Sequence, residues 1–126
     1  MSVFTHTVVG TNDLEKSRSF YDKVLGALGL KRLFDGDTRS AWGADQPALL
    51  VTYPINGQPA TSANGGTIGF AAPSRKAVDS FHAHALANGG ICEGPPGLRD
   101  FVPNAYGAYI RDPDGNKFCA FCYAAE

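Results

Sequence analysis

Apolar and polar positions follow two rhythms along this chain, and the rhythms come round twice in the same order. Residues 3–9 mix β-branched and aromatic side chains with polar ones, which predicts a first strand from Val3 to Val9. Leu14, Ser17, Phe20, Tyr21, Val24, Leu25 and Leu28 then fall at three- and four-residue spacing, the signature of an amphipathic helix running to Val24 or Leu25. Asn12 or Asp13 caps its start, Glu15 favours the positive helix end, and Gly26 and Gly29 close it. Three strands follow, near Leu28 to Phe34, Ser40 to Gly43 and Ala48 to Tyr53, with Asp35-Gly36-Asp37 as a turn. Pro54 to Gly66 is rich in Pro, Asn, Gly, Ser and Thr and reads as a connection.

The order then begins again. Thr67 to Ala72 is a strand, and Ser74 caps a helix whose apolar face is Val78, Phe81, Ala85 and Leu86. Asn88-Gly89-Gly90 stops that helix. Strands follow near Ile91 to Glu93, Tyr106 to Arg111 and Asn116 to Tyr123, the last two joined by the turn Asp112-Pro113-Asp114-Gly115. Gly94 to Asn104 reads as a long loop and, with Phe101 and Pro103, as a lid over a site. The halves also share identities: Ser19-Phe20 returns as Ser80-Phe81, Leu25 as Leu86 and Gly29 as Gly90, an offset of 61 that sets His6 opposite Thr67.

Each half is therefore β-α-β-β-β. The predicted class is α+β: two tandem βαβββ modules forming a curved mixed sheet, helices on the convex side and a concave pocket on the other. Modules of about 1–54 and 65–126, linked by about 55–64, make a single domain of residues 1–126, because some sixty residues bury too little surface to stand alone. Strand alternation sorts the side chains. Leu49, Val51 and Tyr53 go beneath the helices, as do Ile68 and Phe70. Leu50 and Thr52, Thr67 and Gly69 take the opposite face, with His6 placed alongside Phe4 and Val8. In the last strand Phe118, Ala120 and Cys122 separate from Lys117, Cys119 and Phe121. The face used by Tyr109 depends on the hairpin register and stays open.

Composition narrows the function. With 44% hydrophobic and 18% charged residues the chain is an ordinary globular one, and its net charge of -1 comes without the basic stripe that nucleic acid requires. The N-terminal Met-Ser-Val-Phe-Thr has no basic stretch leading into an apolar run, and no segment approaches membrane-spanning length. Three cysteines fit a reducing cytoplasm rather than a disulfide framework. We therefore expect a cytoplasmic protein with no nucleic-acid or membrane partner.

Several residue groups have plain readings. Cys119 and Cys122, three apart on a strand, send their sulfurs to opposite faces, so they are no redox or zinc pair. Cys122 is structural, Cys119 a pocket thiol and Cys92 a small packing residue. His82 and His84 cannot converge on one metal and read as a solvated helix face. Trp42 and Tyr109 are candidates to stack on a ligand, against core packing as the default reading of each. Arg99 is a candidate to hold an anionic group with its rigid fork of donors, against its reading as an ordinary surface arginine.

The chain resembles the vicinal-oxygen-chelate superfamily, the glyoxalase, bleomycin-resistance and extradiol-dioxygenase group. His6 ahead of Asn12 to Ser17 and Phe20-Tyr21 carries the likeness, as do the Gly26 to Gly29 helix exit and Arg111 to Lys117 before the final strand. The resemblance spans essentially the whole chain. It implies a pocket metal, Zn, Ni or Fe, bound by His and Glu on the first and last strands of each module. Carried over, the four ligand places fall on His6, Leu50, Thr67 and Cys119. His6 alone is a usual ligand. A stable centre needs about three protein donors, so we expect no cofactor, with a remnant divalent-metal site at His6 as the alternative. The resemblance then implies a small-molecule-binding protein whose catalytic candidate is His6 and whose pocket residues are Leu50, Thr52, Thr67, Arg99, Cys119 and Phe121. The alternative is a metal-dependent lyase or isomerase, or a ring-cleaving dioxygenase, with altered ligands. A third is a structural domain whose hollow is filled by its own side chains. The resemblance also implies a homodimer.

Overall fold

Residues 3–126 are described by a computed structural model; Met1 and Ser2, where the N-terminal stretch read above begins, lie outside the described residues. The elements run β1 (Thr7–Gly10), α1 (Leu14–Val24), β2 (Lys31–Asp35), β3 (Arg39–Gly43), β4 (Pro47–Thr52), β5 (Ile68–Ala71), α2 (Arg75–Ala87), β6 (Ile91–Arg99), β7 (Ala105–Arg111) and β8 (Lys117–Cys122). The expected β-α-β-β-β order occurs twice. The strands form two four-stranded mixed sheets, ordered β1-β4-β3-β2 and β5-β8-β7-β6, with the first strand of each module parallel to its last.

The caps are the ones the sequence marks. Asp13 accepts the Lys16 N–H at 3.1 Å and Ser74 the Ala77 N–H at 3.0 Å, contacts worth about 1 kcal/mol each. A 3-10 turn at Gly26–Leu28 ends on Gly29, whose φ of 85° suits a residue without Cβ.

One core serves both modules. It joins Leu14, Phe20, Tyr21, Val24, Trp42, Leu49 and Val51 with Phe81, Ala85, Ile110, Phe118 and Ala120. Tyr21 of α1 reaches across, its ring 5.7 Å from that of Phe118. The register matches the repeat. Thr7 pairs Leu49 as Ile68 pairs Phe118, and Val8 pairs Leu50 as Gly69 pairs Cys119.

A polar seam locks the modules together at the turn between β7 and β8. Asp112 is 2% exposed and accepts from the Tyr21 hydroxyl, from Asn116 Nδ2 at 2.9 Å and from the Asp114 and Asn116 N–H groups. Asp114 accepts from the Thr11 hydroxyl at 2.6 Å and the Asn12 N–H at 2.9 Å, while Asn116 donates to the Gly10 carbonyl. Burial raises the Asp112 carboxyl above its ordinary value despite these donors, and burial beside Asp112 drives the Tyr21 phenol well up.

Four expectations are corrected. The first strand begins at Thr7 rather than Val3, because its ladder stops at Thr7–Leu49, two residues from Pro47 where the partner strand starts. Leu28 sits in the 3-10 turn and β2 starts at Lys31; the Leu30 N–H returns to Leu25. Gly94 to Arg99 is strand, not loop. Prolines 95 and 96 are tolerated because β6 is an edge strand with register shifts at Cys92/Gly94 and Gly94/Gly97. His82 is not a solvated residue: it is half-buried, with Nε2 3.1 Å from Cys92 Sγ, while His84 is exposed.

Candidate functional site

The helices cover one face of each sheet and leave the other open. A hollow of about 840 Å3 lies along β1, β4 and β5, lined both by open-face Leu50 and by Ile68 and Phe70, which also pack against the shared core. Leu50, Ala48 and Pro47 line it from β4, Ile68, Gly69 and Phe70 from β5, and Phe4 to Thr7 from the chain entering β1. A second hollow of about 370 Å3 continues past Gly69 and Phe70, which line both, onto β8 and β7. Its walls are Cys119, Phe121, Tyr109, Phe101 and Tyr123.

His6 lies in the first hollow, exposed and one residue before β1, with Nδ1 3.0 Å from the Thr5 hydroxyl. Leu50 joins it there. Cys119 and Phe121 sit in the second hollow, set by the alternation of β8. Burial pushes the Cys119 thiol up although Lys117 draws it down, so it is no ready thiolate. Thr52 lies instead by the linker, in a small depression with Pro54 and Ala60, its hydroxyl donating to the Tyr53 carbonyl at 2.9 Å. Thr67 is exposed, precedes β5 and lines neither hollow. Arg99 folds back onto its own strand, donating to the Gly97 and Pro95 carbonyls at 2.8 Å each.

The four ligand places do not fit a His/carboxylate metal. Leu50 offers no donor, Thr67 only a neutral hydroxyl outside the hollows, and Cys119 a thiol that burial keeps protonated. Among the described residues no three His, Cys, Asp or Glu side chains gather to hold an ion.

The hairpin register settles the face that the sequence left open for Tyr109, which lines the second hollow. Tyr109 is half-buried on the open face opposite Cys119, its ring 5.6 Å from that of Phe121. Lys117 stands over the same ring, Nζ 5.3 Å from its centre. The alternation of β8 places Lys117 on the row of Cys119 and Phe121, which is the signal that marks it. Trp42 is core as expected, its Nε1 donating to Asp22 at 3.0 Å.

Comparison with known proteins agrees with this geometry. The family model of the Glyoxalase/Bleomycin resistance protein/Dioxygenase superfamily matches residues 3–120. A glyoxalase/bleomycin resistance protein from Albidiferax ferrireducens T118 is similar at 51% identity, with a TM-score of 0.88 over 96% of this chain and 98% of that one. A lactoylglutathione lyase from Agrobacterium tumefaciens is 26% identical, with a TM-score of 0.63 over 97% and 94%. The fosfomycin resistance protein FosX from Listeria monocytogenes shares the fold, at 16% identity and a TM-score of 0.69 over 97% and 93%. No curated protein matches. No helix among the described residues is long and apolar enough to cross a membrane.

Proposed function

The chain belongs to the Glyoxalase/Bleomycin resistance protein/Dioxygenase superfamily, and from that premise we propose that it is a small-molecule-binding member taking an apolar or mixed ligand on its open face. The observation that carries this reading is the 840 Å3 hollow, walled by Leu50, Ile68, Gly69 and Phe70 with a single imidazole, His6, among its lining. A concave apolar surface with few polar groups is the usual form of a small-molecule site. His6 supplies the polar contact, as donor or acceptor according to its tautomer, and is the group through which any proton transfer runs. The protein works without a complete metal centre, since one conventional donor falls short of the three a stable site needs. It acts as a homodimer, because Val8 and Tyr123 leave apolar surface exposed near the open faces.

Thermal-shift screening against apolar and mixed metabolites tests the reading. Hits that vanish in Leu50→Arg and weaken in His6→Ala support it; hits unaffected by both refute it. Near-stoichiometric metal in protein purified without chelator would overturn the metal-free part, and light scattering on the eluting protein decides the dimer. A second reading, a metal-dependent lyase or isomerase, draws support from the 26% identity to the lactoylglutathione lyase. Turnover of the methylglyoxal–glutathione hemithioacetal, lost with chelator and restored by metal, would replace the first reading with this one.

A further inference from the structure

We propose that Cys92 is a modification site, a thiol that exchanges with small disulfides using His82 as its base; this stands apart from the ligand-binding reading above. The pair is built by tertiary packing. Cys92 lies on β6 and His82 on α2, and the helix lies against that strand. The contact brings His82 Nε2 to 3.1 Å from Cys92 Sγ. A thiol with a base in hydrogen-bond reach is the arrangement that makes a cysteine nucleophilic, because the thiolate is the attacking form. Both residues are half-buried, and β6 is the edge strand of its sheet. The sulfur is thus sheltered by the helix yet within reach of a small reagent.

The surroundings suit the roles. Burial lowers the His82 pKa below its ordinary value, which keeps the ring neutral near pH 7 and free to take a proton. With its own proton on Nδ1, Nε2 accepts from the thiol. Asp79, one turn earlier on α2, sets a negative charge near the ring and favours the imidazolium once it forms. Glu93, beside Cys92 in the chain, is paired with Arg111 at 3.1 Å, so its charge is countered. The other two thiols lack this setting. Burial pushes the Cys119 thiol up, and Cys122 is buried with its Sγ 3.4 Å from the Glu126 carboxylate, which disfavours a thiolate. In the exchange, the Cys92 proton passes to His82 Nε2 as Sγ attacks one sulfur of the disulfide. A new S–S bond forms, the old one breaks, and the departing thiolate takes the proton from His82. Cys92 is oxidised to a mixed disulfide, and the other half of the reagent leaves reduced as a thiol.

Oxidised glutathione on the full chain, followed by intact mass and peptide mapping, tests this. Native protein should gain a single adduct on Cys92 before Cys119 or Cys122 reacts, and dithiothreitol should remove it. Cys92→Ser should abolish that first adduct. His82→Gln should slow it about tenfold or more. In urea the unfolded parent and His82→Gln should react at the same rate, which ties the difference to the folded contact. Unfolding midpoints check that each variant is intact. Asp79→Asn keeps an acceptor for the Tyr106 hydroxyl, should slow the reaction severalfold, and carries the test if His82→Gln does not fold. A first adduct on Cys119 or Cys122, or rates in the folded variants equal to or above the parent's, overturns the proposal.

Discussion

The two modules carry the same ladder and fill its open face differently. Where module one has Val8 beside Leu50, module two has Gly69 beside Cys119. Where module one sets Thr52 opposite Arg39, module two sets Phe121 opposite Gly107, and the Phe121 ring lies where a Cβ on Gly107 would come within 2.3 Å of it. Tyr109, Phe101 and Tyr123 then close around Phe121 with centroid separations of 5.6, 5.6 and 5.8 Å. The helices diverge as well. Tyr21 of α1 holds Asp112 in the other module, while His82, at the corresponding place in α2, meets Cys92 in its own. Duplication has preserved the backbone frame and the helix-side packing. It has not preserved the chemistry of the open face, where one module leaves an aliphatic hollow and the other builds an aromatic wall with cations beside it.

Substitutions can break this contrast. The largest effect is expected at the turns. Asp112→Ala strands the Tyr21 hydroxyl, Asn116 and two backbone N–H groups, and should cost about 3–4 kcal/mol in urea unfolding. Asp45→Ala, in the exposed turn of module one, should change stability by less than about 0.5 kcal/mol. Comparable losses at both positions would refute the asymmetry. Next comes Gly107→Ala, which drives a methyl into the Phe121 ring and should cost about 1–3 kcal/mol. Arg39→Ala, at the matching exposed place, should lie within about 0.5 kcal/mol of the parent.

The smallest effect concerns pH. Burial lowers the His82 pKa below its ordinary value, with the Asp79 carboxylate partly opposing. The unfolded chain then takes up a proton near pH 6.5 that the folded chain refuses until its own lower pKa. Stability should therefore fall as pH drops through that window. His82→Gln should remove this segment of the unfolding midpoint against pH, and a slope unchanged by the substitution would assign it to other groups.

Much of the frame was legible in the chain itself. The 61-residue offset put His6 against Thr67, and the ladders agree, since β1 and β5 begin one residue after each. Asp13, Ser74 and Gly29 were readable as caps because their roles are local. The pocket was less legible. Pro95-Pro96-Gly97 punctuates a sequence as a loop does, and only its place on a sheet edge makes it strand. The bulges there set the register of Tyr109, so its face could not be assigned from alternation alone. Arg99 folds back along glycines two and five residues earlier, a relation no periodicity displays. The pairing of His82 with Cys92 joins two elements across a turn and has no sequence signature.

The seam between the halves has a consequence for biosynthesis. Asp114 bonds Thr11 and Asn12 across more than 100 residues of chain. As the polypeptide emerges from the ribosome, its first strand and helix are made early yet lack the side chains that satisfy them until nearly the last hairpin is out. Such long-range closure is slow to form, so the nascent amino-terminal half should wait, unfinished, for the carboxy-terminal end, and shortening the chain before residue 116 should cost both halves their structure.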